Sequence, residues 1–245
     1  IRVLDDNEAQ LIRQRVLSRT LEDFYDQLDQ GGALLADTLG AGRDDSRLAA
    51  LVLELYDKVQ SHADPAGWLA ENRTVWSGWE GGFDDTPYAA ELLAAIRRKG
   101  AHWGALLRSA SARTEGDEAL YRGYGEKFLQ VSVAFDALAQ VQTWEAARQT
   151  EAAVAFPRLS TPRGRKDEPG IAALKQVWER CKAEEKKLAG LLAVSGEEAM
   201  EDLTAVAPAM VALLRLTEDF AERYRQEKLL SLIHISEPTR PRLIS

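Results

Sequence analysis

Four cations fall within one short proline-rich stretch: Arg158, Arg163, Arg165 and Lys166, inside Phe156-Pro-Arg-Leu-Ser-Thr-Pro-Arg-Gly-Arg-Lys-Asp-Glu-Pro-Gly170. Positive charge concentrated on a loop can neutralise nucleic-acid phosphates, and the planar arginine fork suits bidentate contact with them. The competing reading is a solvated loop whose charge is partly offset by Asp167 and Glu168. A second group, Trp76, Trp79 and Phe83, interrupts the helical pattern with aromatics among glycines. Exposed rings of this kind stack on unpaired bases, but more often they peg a loop to its own core.

Other chemistries lack their residues. Gly40-Ala41-Gly42 and the glycines from Gly78 to Gly82 neither follow strands nor lead into a lysine-bearing helix turn, so neither is a phosphate loop or a dinucleotide fingerprint. His62, His102 and His234 have no partner at ligand spacing, which argues against a metal site. Asp44-Asp45 and Asp84-Asp85 precede helical patterns, where capping and the helix dipole account for them without catalysis. Cys181 sits on the apolar side of a helical pattern and reads as a small core residue. No catalytic residue and no metal ligand is assigned.

The scaffold that must carry these groups is helical. The chain has 245 residues, 45% of them hydrophobic and 29% charged, with Ala, Leu, Glu, Arg and Lys abundant. That vocabulary favours helices. The expected fold class is all-α, an irregular bundle of about seven to nine helices. A single cysteine excludes internal disulfides and thiolate clusters. The net charge of −8 argues against a surface uniformly built for nucleic acid, though a local basic site remains compatible with it. No membrane span or signal peptide is legible, and the absence of an initiator Met suggests a start within a longer protein.

Periodicity and caps place the elements. A first helix follows Asp5, with Glu8 completing a capping box, and Gly31-Gly32 is expected to end it. A second is capped near Asp44-Asp45, and Asp64-Pro65 opens a third. Thr86-Pro87 begins a long helix, followed by one from about Asp117 to Val141 and a short one from Thr143 to Ala153. Helix resumes near Ile171, and Ser195 with Glu198 forms another capping box. In the last helix, Pro208 should produce a bend or break.

Residues 231–245 stand apart. The helical pattern stops after Lys228, and Pro238 and Pro241 oppose a helix beyond it. The string Ser-Leu-Ile-His-Ile-Ser-Glu-Pro-Thr-Arg-Pro-Arg-Leu-Ile-Ser resembles a translated sequencing adapter. It is read as a non-native, disordered tail without functional weight.

Three stretches carry a family resemblance. They are Arg2-Val-Leu-Asp-Asp-Asn-Glu-Ala9; Gly42-Arg-Asp-Asp45 followed by Leu51-Val-Leu-Glu-Leu-Tyr56, Pro65 and Trp68-Leu69; and Phe156-Pro-Arg-Leu159 with the basic loop and Phe220-Ala-Glu-Arg-Tyr-Arg-Gln-Glu-Lys228. In this order they resemble the AddA-type helicase–nucleases, which are superfamily 1 motors, over residues 1–230. The resemblance implies a helical accessory subdomain inserted in the first motor lobe, resting against duplex DNA. It implies a parent that uses ATP and magnesium to unwind and degrade DNA at double-strand breaks in the bacterial cytoplasm, alongside the partner subunit of an AddAB-type heterodimer. This segment would hold no cofactor of its own and be inactive alone. The implied partners are the DNA phosphate backbone, the rest of the motor and the partner subunit, with no membrane. The alternative is a helical protein–protein scaffold without DNA contact.

Overall fold

Local hydrogen bonding encoded in neighbouring residues starts most of the helices. A computed structural model describes residues 6–39 and 46–236, with side-chain environments described for 7–39 and 46–230. The described helices are α1 (Asp6–Asp26), α2 (Gln30–Leu39), α3 (Ser46–Val59), α4 (Pro65–Trp76), α5 (Pro87–Ala112), α6 (Glu118–Leu120), α7 (Glu126–Leu138), α8 (Trp144–Ala152), α9 (Pro169–Leu191) and α10 (Gly196–Ser236). A π-helical segment, Tyr121–Gly125, joins α6 to α7 without interruption, so nine separate helices are described. No strand occurs among the described residues. The all-α expectation is met.

The caps follow the sequence closely. Asp64 Oδ1 accepts from the Gly67 amide at 3.0 Å, with Pro65 in the first turn of α4. The Thr86 hydroxyl accepts from Ala89 and the Thr143 hydroxyl from Ala146, both at 3.2 Å. Ser195 and Glu198 exchange bonds at 2.8 and 3.1 Å, the reciprocal pattern of a capping box. The expected caps at Asp5 and at Asp44-Asp45, and the Gly40 to Gly42 cluster, lie outside the described residues.

Contacts divide the chain into two units, 1–79 with 203–245, and 80–202. In the first, Val16 and Leu17 of α1, Leu35 of α2, Val52 and Tyr56 of α3, and Leu213, Leu216 and Phe220 of α10 form one buried cluster. Tyr56 meets Phe220 edge-on at 5.2 Å, and Phe220 stacks on Tyr224 at 5.7 Å. Each large apolar side chain buried this way contributes roughly 1.5–3 kcal/mol. A smaller cluster of Val59, Leu69 and Leu214 is covered by Trp68 and Trp76.

Three expectations for this unit are corrected. Gly31 and Gly32 do not end α1, which stops at Asp26; they lie in the first turn of α2. There Asp29 Oδ1 accepts from the Gly32 amide at 2.7 Å. A Cβ at Gly31 would stand 2.5 Å from the Pro208 carbonyl oxygen, so this glycine permits close helix packing instead of serving as a stop. Pro208 in turn sits inside a helix that continues on both sides of it. Nor does α10 stop after Lys228, since its backbone remains helical to Ser236. Residues 229–236 contain no Gly or Pro, and the first residue type able to halt the helix is Pro238. Residues 237–245 of the expected tail lie outside the described residues.

The second unit is organised around α5 and α7. A Cβ on Gly100 would meet the Ala139 amide nitrogen at 2.6 Å and the Phe135 carbonyl at 2.7 Å, so glycine lets the two helices approach at backbone distance. Leu93, Ile96, Trp103 and Leu107 of α5 are buried, as are Phe128, Val131 and Phe135 of α7. Helix α9 closes this core with Ile171, Leu174, Trp178, Cys181 and Leu188. Asp84 accepts from the Trp144 amide at 2.7 Å and so caps a helix sixty residues away. Asp85 accepts from the amide of Gly82 at 2.9 Å. Capping, not catalysis, occupies both carboxylates.

Candidate nucleic-acid interface

The proline-rich loop between α8 and α9 is built as a chain of turns, each closed by its own hydrogen bond. Pro162 to Arg165 form a first turn, in which the Arg165 amide donates to the Pro162 carbonyl at 3.3 Å. Its third residue, Gly164, has φ +81°, the left-handed conformation that a type II turn requires and glycine supplies without strain. Arg165 to Glu168 form the next, with the Glu168 amide donating to the Arg165 carbonyl at 3.2 Å. Helix α9 then begins at Pro169, where proline suits the first turn. Arg163 and Lys166 each occupy the second position of a turn, and both are exposed.

The loop is tied to the rest of its unit at three places. Phe156 meets Trp178 edge-on at 5.1 Å, and Trp178 meets Phe128 at 5.1 Å. In the middle, the Ser160 amide donates to the Gly123 carbonyl at 3.1 Å, and the Tyr124 and Thr161 hydroxyls are 2.6 Å apart. Lys127 Nζ donates to the Arg158 carbonyl at 2.6 Å and to Ser160 Oγ at 3.3 Å. At the far end, Arg165 donates to Glu168 at 2.6 and 2.8 Å and also to Asp117.

The π-helical segment makes the middle tie possible. Its hydrogen bonds skip one residue more than an α-helix, as the Glu126 amide donates to the Tyr121 carbonyl. Gly123 presents its carbonyl to Ser160 in this widened turn, and a Cβ there would fall on the Ser160 carbonyl oxygen. Gly125 accepts from the Ser111 hydroxyl at 2.9 Å. The glycines within the pattern from Asp117 to Val141 were the available sequence signal for a close approach. Sequence reasoning read straight through them, and it missed Asp117, Gly123, Tyr124 and Lys127 as supports of the loop.

The four expected cations therefore differ. Arg158, Arg163 and Lys166 are exposed. Arg165 is half-buried and held by two carboxylates. Hydrogen bonds from the Leu120 amide and then from Arg165 hold the Asp117 carboxyl below the usual carboxylate range. The Arg165 hydrogen bond does the same to Glu168, and together the two acids push the guanidinium further up. All three groups stay ionised across the neutral range. Arg165 reaches a phosphate only by giving up carboxylate partners.

The other expected groups resolve into packing. Trp76 meets Trp79 edge-on at 5.2 Å and covers the small cluster of the first unit. Phe83 is buried against Trp144 at 5.0 Å. These aromatics are pegs in their own units. His62 stacks on Trp68 at 5.1 Å, and His102 meets Trp103 edge-on at 5.4 Å. Burial, followed by the charges of Glu185 and Glu184, pushes the Cys181 thiol up to about 12, which makes it a poor nucleophile. Among the described residues, no group of three His, Cys, Asp or Glu side chains could hold a metal ion. No described helix is long and apolar enough to cross a membrane.

Comparison with known proteins supplies the context for this loop. No protein-family model matches the chain. Curated proteins do, and each is named as the AddA-type component of an ATP-dependent helicase/nuclease. The Clostridium kluyveri protein is 28% identical over 234 residues, covering 93% of this chain and 18% of its own length. That of Desulforamulus reducens is 30% identical over 241 residues, 93% of this chain and 19% of its own. The Desulforudis audaxviator protein is 29% identical over 238 residues, with the same coverage of 93% and 19%. The chain thus spans under a fifth of the length of these relatives. Taken with the order of its own motifs, this near end-to-end match identifies the chain as a relative of one stretch of the AddA-type ATP-dependent helicase/nucleases.

Proposed function

We propose that this chain is the helical accessory subdomain of an AddA-type ATP-dependent helicase/nuclease, a parent acting in double-strand break repair, and that its proline-rich loop faces the phosphate backbone of duplex DNA. The observation that carries the reading is the loop itself. It presents Arg158, Arg163 and Lys166 to solvent from a frame tied down by neighbouring side chains. Similarity to proteins named as helicase/nuclease makes DNA the relevant polyanion.

Such contacts set position without reading sequence, because phosphates are the same at every step. ATP, magnesium, nuclease chemistry, the partner subunit and a cytoplasmic setting belong to the proposed parent. The described residues fit neither a metal cluster nor a phosphate loop, so no catalytic step is assigned to them. Residues 231–245 carry no part of the proposal.

Titrating the chain against a labelled blunt duplex at several salt concentrations tests it. Replacing Arg158, Arg163 and Lys166 with Gln should weaken binding and flatten the salt dependence by about 0.9 for each phosphate no longer neutralised. Unchanged affinity and slope in a folded triple variant would remove the loop from the interface. Binding to the partner subunit without duplex protection would favour the scaffold reading instead.

A further inference from the structure

The arginines of the loop are not equivalent, and the difference assigns them different tasks. Arg163 and Lys166 sit at the tips of consecutive turns and are exposed. Between them, Arg165 turns inward after the positive φ of Gly164 and joins the Glu168 and Asp117 carboxylates. Asp117 is itself fixed, because its other oxygen accepts from the Leu120 amide at 3.0 Å as the cap of α6. The inward guanidinium therefore ties both turns to a helix terminus.

We propose that Asp117, Arg165 and Glu168 form a latch that positions Arg163 and Lys166 for phosphate binding, so that Asp117 and Glu168 support DNA binding although they carry the wrong charge to touch it. This rests on the DNA-facing reading of the loop. A free loop would have to be ordered on binding, at a cost to affinity, whereas a latched loop has already met that cost in folding. A surface optimised for charge alone would omit the two carboxylates. Their presence beside Arg165 fits a demand for geometry.

The test uses the full chain, a short blunt duplex and four substitutions: Asp117→Asn, Arg165→Gln, Arg163→Gln and Lys166→Gln. Asparagine still caps helices, so D117N releases Arg165 while sparing α6. D117N and R165Q should each weaken binding by roughly three- to tenfold, with the D117N/R165Q pair little worse than either. Neither should change the salt slope, whereas R163Q and K166Q should each flatten it by about 0.9.

In an R163Q/K166Q background D117N should have no further effect, because nothing remains to be positioned. A general loss of stability would weaken both backgrounds alike and overturn the proposal. So would a flattened slope in R165Q, which would make Arg165 a phosphate contact in its own right. Unchanged affinity in D117N alongside weakened R163Q would also overturn it. Should D117N unfold the chain, Glu168→Gln carries the same expectations without touching the cap. Failure of R163Q and K166Q to alter affinity or slope, or no duplex binding at low salt, defeats the DNA-facing reading itself.

Discussion

The amide of Ser160 donates to the carbonyl of Gly123 at 3.1 Å, bridging the proline-rich loop and the π-helical segment. This bond exists because residue 123 has no side chain, since a Cβ there would fall on the Ser160 carbonyl oxygen. Gly123→Ala should displace the loop and cost about 1–3 kcal/mol, the usual penalty for a methyl group forced into packed backbone. Thermal unfolding measures the cost, and faster amide exchange at Ser160 reports the displacement. An unchanged exchange rate would show that the tie does not hold the loop.

Gly31 and Pro208 provide the corresponding test in the first unit. The Pro208 carbonyl oxygen would stand 2.5 Å from an added Cβ, and backbone cannot swing aside as a side-chain tip can. Gly31→Ala should destabilise by about 1–3 kcal/mol despite alanine's better helix propensity. A rise in melting temperature would mean that helix propensity outweighs the close approach.

Phe220 is fully buried between Tyr56 and Tyr224. Phe220→Ala should cost about 3–5 kcal/mol, combining lost transfer energy with an unfilled cavity. Equilibrium denaturation in urea gives the value, and a cost under about 1 kcal/mol would indicate that the site collapses without penalty.

A buried acid should make stability depend on pH. Burial, then the charge of Glu185 and a hydrogen bond with it, push the Glu151 carboxyl above the usual glutamate range. An acid with a raised folded-state value favours folding most when protonated. Its contribution is fully present below the unfolded value and is lost as pH rises through the folded one. Glu151→Gln should therefore raise the melting temperature at neutral pH relative to the unsubstituted chain, with the gain shrinking in mildly acidic buffer. A pH-independent difference would sink this account.

Cys181 should resist alkylation. Its side chain is fully buried and its thiol is pushed up to about 12. Iodoacetamide at neutral pH should leave the native chain unmodified by mass spectrometry and label it once in denaturant. Rapid labelling of the native chain would contradict the burial.

How much of this was legible in sequence depended on how far apart the interacting residues lie. Helix starts at Asp64, Thr86, Thr143 and the Ser195/Glu198 pair were readable, because each cap bonds an amide three residues away. The all-α class followed from composition and apolar spacing, and the loop from its prolines. Roles set by distant partners were not readable. Asp84 caps the helix at Trp144, and Gly31 marks a close approach to Pro208 instead of a helix end. Arg165 and Arg163 are two residues apart and chemically identical, yet one meets Asp117 and the other meets solvent. Sequence by itself determined the helices and the charge on the loop, since short-range hydrogen bonds and apolar periodicity specify both. Only the tertiary structure decided which cations remain exposed, because packing alone brought Asp117 and the π-helical segment against the turns.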